Sequence, residues 1–104
     1  MANQKTDAFK AIADPRRRKI IQMLMVSSLS LGAITESFDM SRQAISRHIN
    51  TLEESGLLIT KKQGRETICF LDMAPMKEVF DEIQFYYSFW ESKLKKLDDL
   101  MNEG

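Results

Sequence analysis

The sequence predicts a mainly α fold with one small β-hairpin, in the order α-α-α-α-β-β-α. Three observations predict it: apolar residues recur at helical spacing in four segments before residue 55, two strand-like runs flank Gln63-Gly64-Arg65, and residues 75–102 carry an unbroken heptad. At 104 residues and 43% apolar content the chain can bury one core and not two, so residues 1–104 are read as a single domain.

The first periodic segment, Thr6 to Ala13, puts Phe9, Ile12 and Ala13 on one helical face. Asp14-Pro15 then restarts the chain, with Asp14 as N-cap and Pro15 at the first helical position. The second helix runs to about Val26, and its stripe of Ile20, Ile21, Leu24 and Met25 is expected in the core. Residues 1–29 thus make the N-terminal helices. The first turn of the second helix carries Arg16, Arg17, Arg18 and Lys19, a basic cluster for which both DNA and the acidic end of the chain are open as partners.

Ser30 opens a third helix, Leu31 to Phe38, and after Asp39-Met40-Ser41 a fourth runs from about Arg42 to Glu54. Two helices joined by a three-residue turn form a helix-turn-helix unit over residues 30–55. Gly56 supplies the left-handed position that ends the fourth helix. Leu57 to Lys62 and Glu66 to Leu71 read as strands, so residues 57–71 form a hairpin, or wing. The whole is a winged helix-turn-helix.

At about 100° per residue the fourth helix divides into two arcs. Ile45, His48, Ile49 and Leu52 lie on one, and Arg42, Gln43, Ser46, Arg47 and Asn50 on the other. The second arc holds the residue types that read base edges: Arg can donate two hydrogen bonds to guanine, and Gln matches adenine with a donor and an acceptor. Arg42, Gln43, Ser46 and Arg47 are the candidate base readers. Ser41, Asn50, Lys61, Lys62 and Arg65 are the candidate phosphate or wing contacts. The lone His48, beside the apolar arc, is read as packed or bonded to backbone or phosphate rather than as a metal ligand.

From Pro75 onward Met76, Phe80, Ile83, Tyr87, Trp90, Leu94, Leu97 and Met101 are spaced alternately by four and three, a heptad seam over a helix at 75–102. Phe85-Tyr86-Tyr87-Ser88-Phe89-Trp90 is aromatic nearly all round, so this helix needs cover on more than one side. The chain's own core on one side and a second copy on the other would supply it, making a homodimer whose interface includes Phe9, Ile83, Tyr87, Trp90, Leu94 and Leu97. Interface packing is the favoured use of the aromatic cluster, and enclosure of a small apolar effector is the alternative.

The net charge is zero, yet residues 1–71 hold 11 Lys and Arg against 7 Asp and Glu, and residues 72–104 hold 4 against 8. The basic part is suited to a polyanion, the acidic end to water or protein. One cysteine, Cys69, excludes an intramolecular disulfide and any Cys-x-x-Cys motif, which fits a reducing cytoplasm, and a packed residue is favoured over a redox switch. The apolar run from Ile20 to Leu31 is too short to span a bilayer, so no membrane partner is expected. With no phosphate-binding glycine loop, no second histidine and no acid-base constellation, no catalytic, cofactor-binding or metal residue is assigned and the chain is not read as an enzyme.

Ala13-Asp14-Pro15 with Arg17 and Ile20, the run from Ser41 to Ile49, Leu52, Gly56-Leu57-Leu58 and Gly64-Arg65 together resemble the ArsR family of transcriptional repressors, and the similarity covers nearly the whole chain in order. The resemblance implies a winged-helix dimer, joined by its first and last helices, that represses by occupying an operator in double-stranded DNA. Many such proteins sense metals through a Cys-x-Cys pair in the third helix or through Asp and His on the last. Residues 30–38 have no cysteine and the last helix has no histidine, so the likeness is to a metal-independent branch. The competing function is a winged-helix module that binds another protein and no specific DNA.

Overall fold

The computed structural model describes residues 7–103. Thr6, the predicted start of the first helix, lies outside them. Asp7 caps α1 (Ala8–Ala11), its carboxylate accepting from Lys10 N at 2.8 Å. The inward face of α1 is Ala8 and Ala11, with Ile12 half-buried; Phe9 and Ala13, expected on that face, are exposed. A four-residue helix has room for one inward edge, and the small alanines take it.

Asp14 and Pro15 do start α2 (Pro15–Val26), with the Asp14 carboxylate accepting from Arg16 N at 2.7 Å. Ile20, Ile21 and Leu24 are buried as the stripe requires. Met25 departs from it and is 64% exposed, while Met23 packs against the core instead.

The two-strand expectation is corrected. A short strand, β1 (Leu29–Ser30), precedes α3 (Leu31–Glu36), so the order is α-α-β-α-α-β-β-α. With β2 (Leu58–Gln63) and β3 (Glu66–Leu71) it makes a three-stranded antiparallel sheet in the order β1-β3-β2. Leu29 pairs with Cys69 and Ser30 with Ile68, which covers the free edge of β3. Ser30 then caps α3, its hydroxyl accepting from Ala33 N at 3.0 Å.

Helix α4 (Arg42–Glu54) has the predicted bounds. Its end is a Schellman closure: Gly56 N donates to Glu53 O and Leu57 N to Leu52 O, with Gly56 at φ 82°. Leu52 and Leu57, which accompany that closure, are both fully buried. In the wing, Gly64 at φ 63° and Arg65 join Gln63 to Glu66, the glycine-first pattern of a type II′ hairpin turn.

The core lies between α2, α3, α4 and the inner face of the sheet, built on Ile20, Ile34, Ile45, Leu52, Leu57 and Cys69. Helix α5 (Ala74–Asn102) has 29 residues and a length of about 43 Å at 1.5 Å per residue. Val79 is its one buried residue, and α1 is packed against it. From Phe80 onward every described residue of α5 is exposed, Trp90 at 55% and Phe85 at 73%. The expectation that the chain's own core covers one side of residues 85–90 is therefore wrong within the protomer, because the helix has already run past that core. The molecule is correspondingly long, 65 × 35 × 21 Å.

Candidate nucleic-acid interface

Helix α4 buries Ile45, Ile49 and Leu52 and leaves Arg42, Gln43, Arg47 and Asn50 exposed. Ser46, read as outward, is half-buried at the edge of the polar arc. Ser41 is committed locally: its hydroxyl caps α4 by accepting from Ala44 N at 3.1 Å. Ser41, Arg42, Gln43, Ser46 and Arg47 line one open depression at the N-terminal end of the helix. The positive end of the helix dipole and two guanidinium groups make this a basic, solvent-filled surface. Glu53, at the other end, is held by the Thr60 hydroxyl, which donates to its carboxylate at 2.8 Å and ties β2 to α4.

The wing presents Lys61 and Lys62 on opposite faces. Successive residues of a strand point to opposite faces. Lys62 shares the face of Leu58 and Thr60, towards α4, whereas Lys61 lies on the other face with its ammonium 5.6 Å above the Phe70 ring. Arg65 is exposed at the tip.

The cations of the basic α2 turn are engaged by nearby groups of the same protomer. Arg16 folds back on Asp14, donating to its carboxylate at 3.1 and 2.9 Å. That pairing holds the Asp14 carboxyl well below the usual carboxylate range. Arg18 donates to the Ile12 and Ala13 carbonyls, and Lys19 sits 4.9 Å above the Phe38 ring. Arg17 donates to Ala11 O at 2.7 Å and Lys10 O at 3.1 Å, and its remaining terminal nitrogen contacts His48 Nδ1 on α4 at 3.2 Å and lies 3.9 Å from the Asp14 carboxylate. Sequence reasoning did not find this junction: 31 residues separate its partners, and no local periodicity connects them.

His48 is half-buried, and burial pushes its imidazole below the ordinary value, with Asp14 opposing and Arg16 and Arg17 reinforcing that shift. Cys69 is fully buried on β3, and burial followed by the negative charge of Glu53 pushes its thiol up to about 11. Such a thiol has little thiolate near neutral pH and belongs to the packing. Among the described residues no group of three or more His, Cys, Asp or Glu comes together in a way that could hold a metal, and no helix is long and apolar enough to cross a membrane. The candidate interface residues of α5, Ile83, Tyr87, Trp90, Leu94 and Leu97, are exposed on the long helix, and Phe9 of α1 is 38% exposed.

A helix-turn-helix (HTH) domain family matches residues 16–65, from α2 through the wing turn. The transcriptional repressor SdpR of Bacillus subtilis is 37% identical over 57% of this chain and 66% of its own length. The transcriptional activator HlyU of Vibrio cholerae is 30% identical over 75% of this chain and 72% of its own. Among solved structures, an ArsR family transcriptional regulator superposes with a TM-score of 0.73 at 33% identity, covering 81% of this chain and 87% of that one. On the 33% identity to that ArsR family regulator over 87% of its length, and the 30% identity to HlyU over 72% of its own, the chain belongs to the ArsR family of winged helix-turn-helix transcriptional regulators.

Proposed function

We propose that this regulator is a metal-independent, cytoplasmic repressor that acts as a homodimer on a palindromic operator, with residues 1–104 working as one winged-helix unit. The observation that carries the DNA contact is the open basic surface along α4, where Arg42, Gln43 and Arg47 are exposed and line one depression with the half-buried Ser46. Inserted in the major groove, α4 would present Arg42, Gln43, Ser46 and Arg47 to base edges. Asn50 and the exposed wing residues Lys62 and Arg65 would meet phosphates, with Lys61 at the outer rim and Ser41 offering its backbone end of the helix rather than its engaged hydroxyl.

The uncovered aromatic and heptad face of α5 supports the homodimer, since apolar side chains at that density on a lone helix need a partner. Two copies would place their reading helices about 34 Å apart, one turn of the duplex. An apolar effector would have to bind between copies, because residues 85–90 enclose nothing within one protomer.

Selection of bound sites from a randomised duplex pool, with and without zinc and chelator, tests the reading. The expected result is a two-fold symmetric site whose affinity ignores zinc and falls steeply with salt. Arg47→Ala should then lower affinity for the selected site by about 1–3 kcal/mol while barely changing affinity for a scrambled duplex. An equal loss on both duplexes would remove Arg47 from the base readers, and no enrichment of any sequence would favour the protein-binding module.

A further inference from the structure

We propose that Arg17 is the positioning residue of the reading helix: its guanidinium clamps the carbonyl end of α1 to the Nδ1 of His48 on α4, and so fixes how the base-reading face is aimed. The clamp rests on α4 as the DNA-reading helix and adds a link that the interface itself does not contain. Each nitrogen of the guanidinium has its own acceptor, Nε on Ala11 O, one terminal nitrogen on Lys10 O and the other on His48 Nδ1. The side chain is 16% exposed, and swinging out to solvent would abandon all three, together with the Asp14 carboxylate that lies 3.9 Å from the nitrogen facing His48. A planar fork with five donors suits this geometry, and an ammonium does not.

The chemistry of the pair fixes the state of the histidine. Guanidinium donates and never accepts, so Nδ1 must be the acceptor and the ring proton resides on Nε2. Neutral His48 therefore completes the clamp. A protonated ring has no lone pair at Nδ1 and sets its charge against Arg17.

His48 follows Arg47 directly in α4, so a shift of the His48 backbone moves a base reader. At its other end the clamp holds α1, which packs on α5, the helix proposed to meet the second copy. A displacement of α1 or α5 thus reaches α4 through Arg17.

The charged groups acting on His48 are Arg16 and Arg17 of α2 and Asp14 at its cap. The other elements packed on α4 carry Lys10 on α1, Glu36 on α3 and Lys61 and Lys62 on β2, all exposed. His48 is the chain's one histidine, so protein titration between pH 5 and 7 is assigned to it without overlap from a second imidazole. With its imidazole held below the ordinary value by burial, loss of the clamp on acidification falls below about pH 6.5. The same protonation lowers folding stability in that range, since the unfolded chain takes up the proton first.

The test compares wild type, Arg17→Lys and His48→Gln on the duplex selected by the wild-type protein and on a scrambled duplex, from pH 5 to 8, with imidazole nitrogen chemical shifts of the free protein recorded alongside. At pH 7.5 Arg17→Lys should lose about tenfold in affinity for the selected duplex and little for the scrambled one. His48→Gln keeps an oxygen acceptor for Arg17 and cannot be protonated, so it should bind near wild-type strength at pH 7.5 and lack the acid loss shown by wild type. The nitrogen shifts should report an unprotonated Nδ1 and a protonated Nε2. A folded Arg17→Lys that binds as wild type does, a His48→Gln pH profile that parallels wild type, or a proton on Nδ1 would each overturn the clamp while leaving the DNA reading intact. Wild type with no preference for any duplex would overturn that reading, and the clamp's function with it.

Discussion

Helices α4 and α5 are both amphipathic in sequence and end in opposite situations. Helix α4 has three large apolar residues, all buried by α1, α2, α3 and β2, and its polar arc faces solvent. Helix α5 has a heptad of eight apolar residues, of which Met76 packs against the core and the seven from Phe80 to Met101 are exposed. Periodicity tells which face of a helix must leave water. It does not tell what the face will meet. For α4 the partners lie on either side in the sequence, close enough to fold over it. For α5 no described element of the same protomer lies against the residues from Phe80 onward, and the helix extends past the core.

The largest effect is expected where the cover is external. Tyr87→Glu combined with Trp90→Glu puts two charges into the proposed contact and removes two aromatic burials from each copy, weakening self-association by at least about 3 kcal/mol. Sedimentation velocity should show the dimer replaced by a monomer whose far-ultraviolet helicity is nearly unchanged. A dimer that persists in this variant would break the contrast between the helices, since the cover of α5 would have to be sought on another face.

Within α4 the contrast is between two faces of one element. Ile45 is fully buried and Arg42 is exposed, three residues apart. Ile45→Ala should lower stability by about 2–5 kcal/mol, as large-to-small changes in a packed core do. Arg42→Ala should leave it within about 0.5 kcal/mol. Urea titration of both variants checks the pair. Similar midpoints would mean that the apolar arc is not what seats the helix.

The fold was legible in the sequence wherever a local chemical signal existed. Asp14-Pro15, Ser30, Ser41 and Gly56 each mark a helix end by their own backbone or side-chain chemistry, and each does so in the structure. Strand β1 was not legible, because two residues carry no period and Leu29 declares itself only through Cys69, forty residues away. The side of the wing was half legible. Lys61 and Lys62 look like one basic cluster in a line of text, and the pleat separates them. The local partners of the basic α2 turn were not legible for a related reason: free cations suggest anions, but here the acceptors of Arg17 and Arg18 are peptide carbonyls at the end of α1. A helix of four residues leaves its carbonyls open, and the next helix supplies the donors.

The smallest predicted effect sharpens the boundary of the polar territory that begins on α4. Lys62 lies on the face of β2 that is joined to α4 through Thr60 and Glu53, and Lys61 rests on Phe70 on the opposite face. If the duplex follows α4, Lys62 is beside a phosphate path and Lys61 points away from it on the far face of the sheet. Lys62→Ala should therefore weaken binding to selected and scrambled duplexes about equally and reduce the slope of log affinity against log salt by about 1. Lys61→Ala should leave the slope unchanged and alter affinity by less than a factor of about 3, because its charge is screened beyond roughly 10 Å at 0.1 M salt. Fluorescence anisotropy at four salt concentrations separates the two variants. Equal slopes would place DNA across both faces of the wing, which requires the hairpin to enter a groove edge-on rather than lie beside α4.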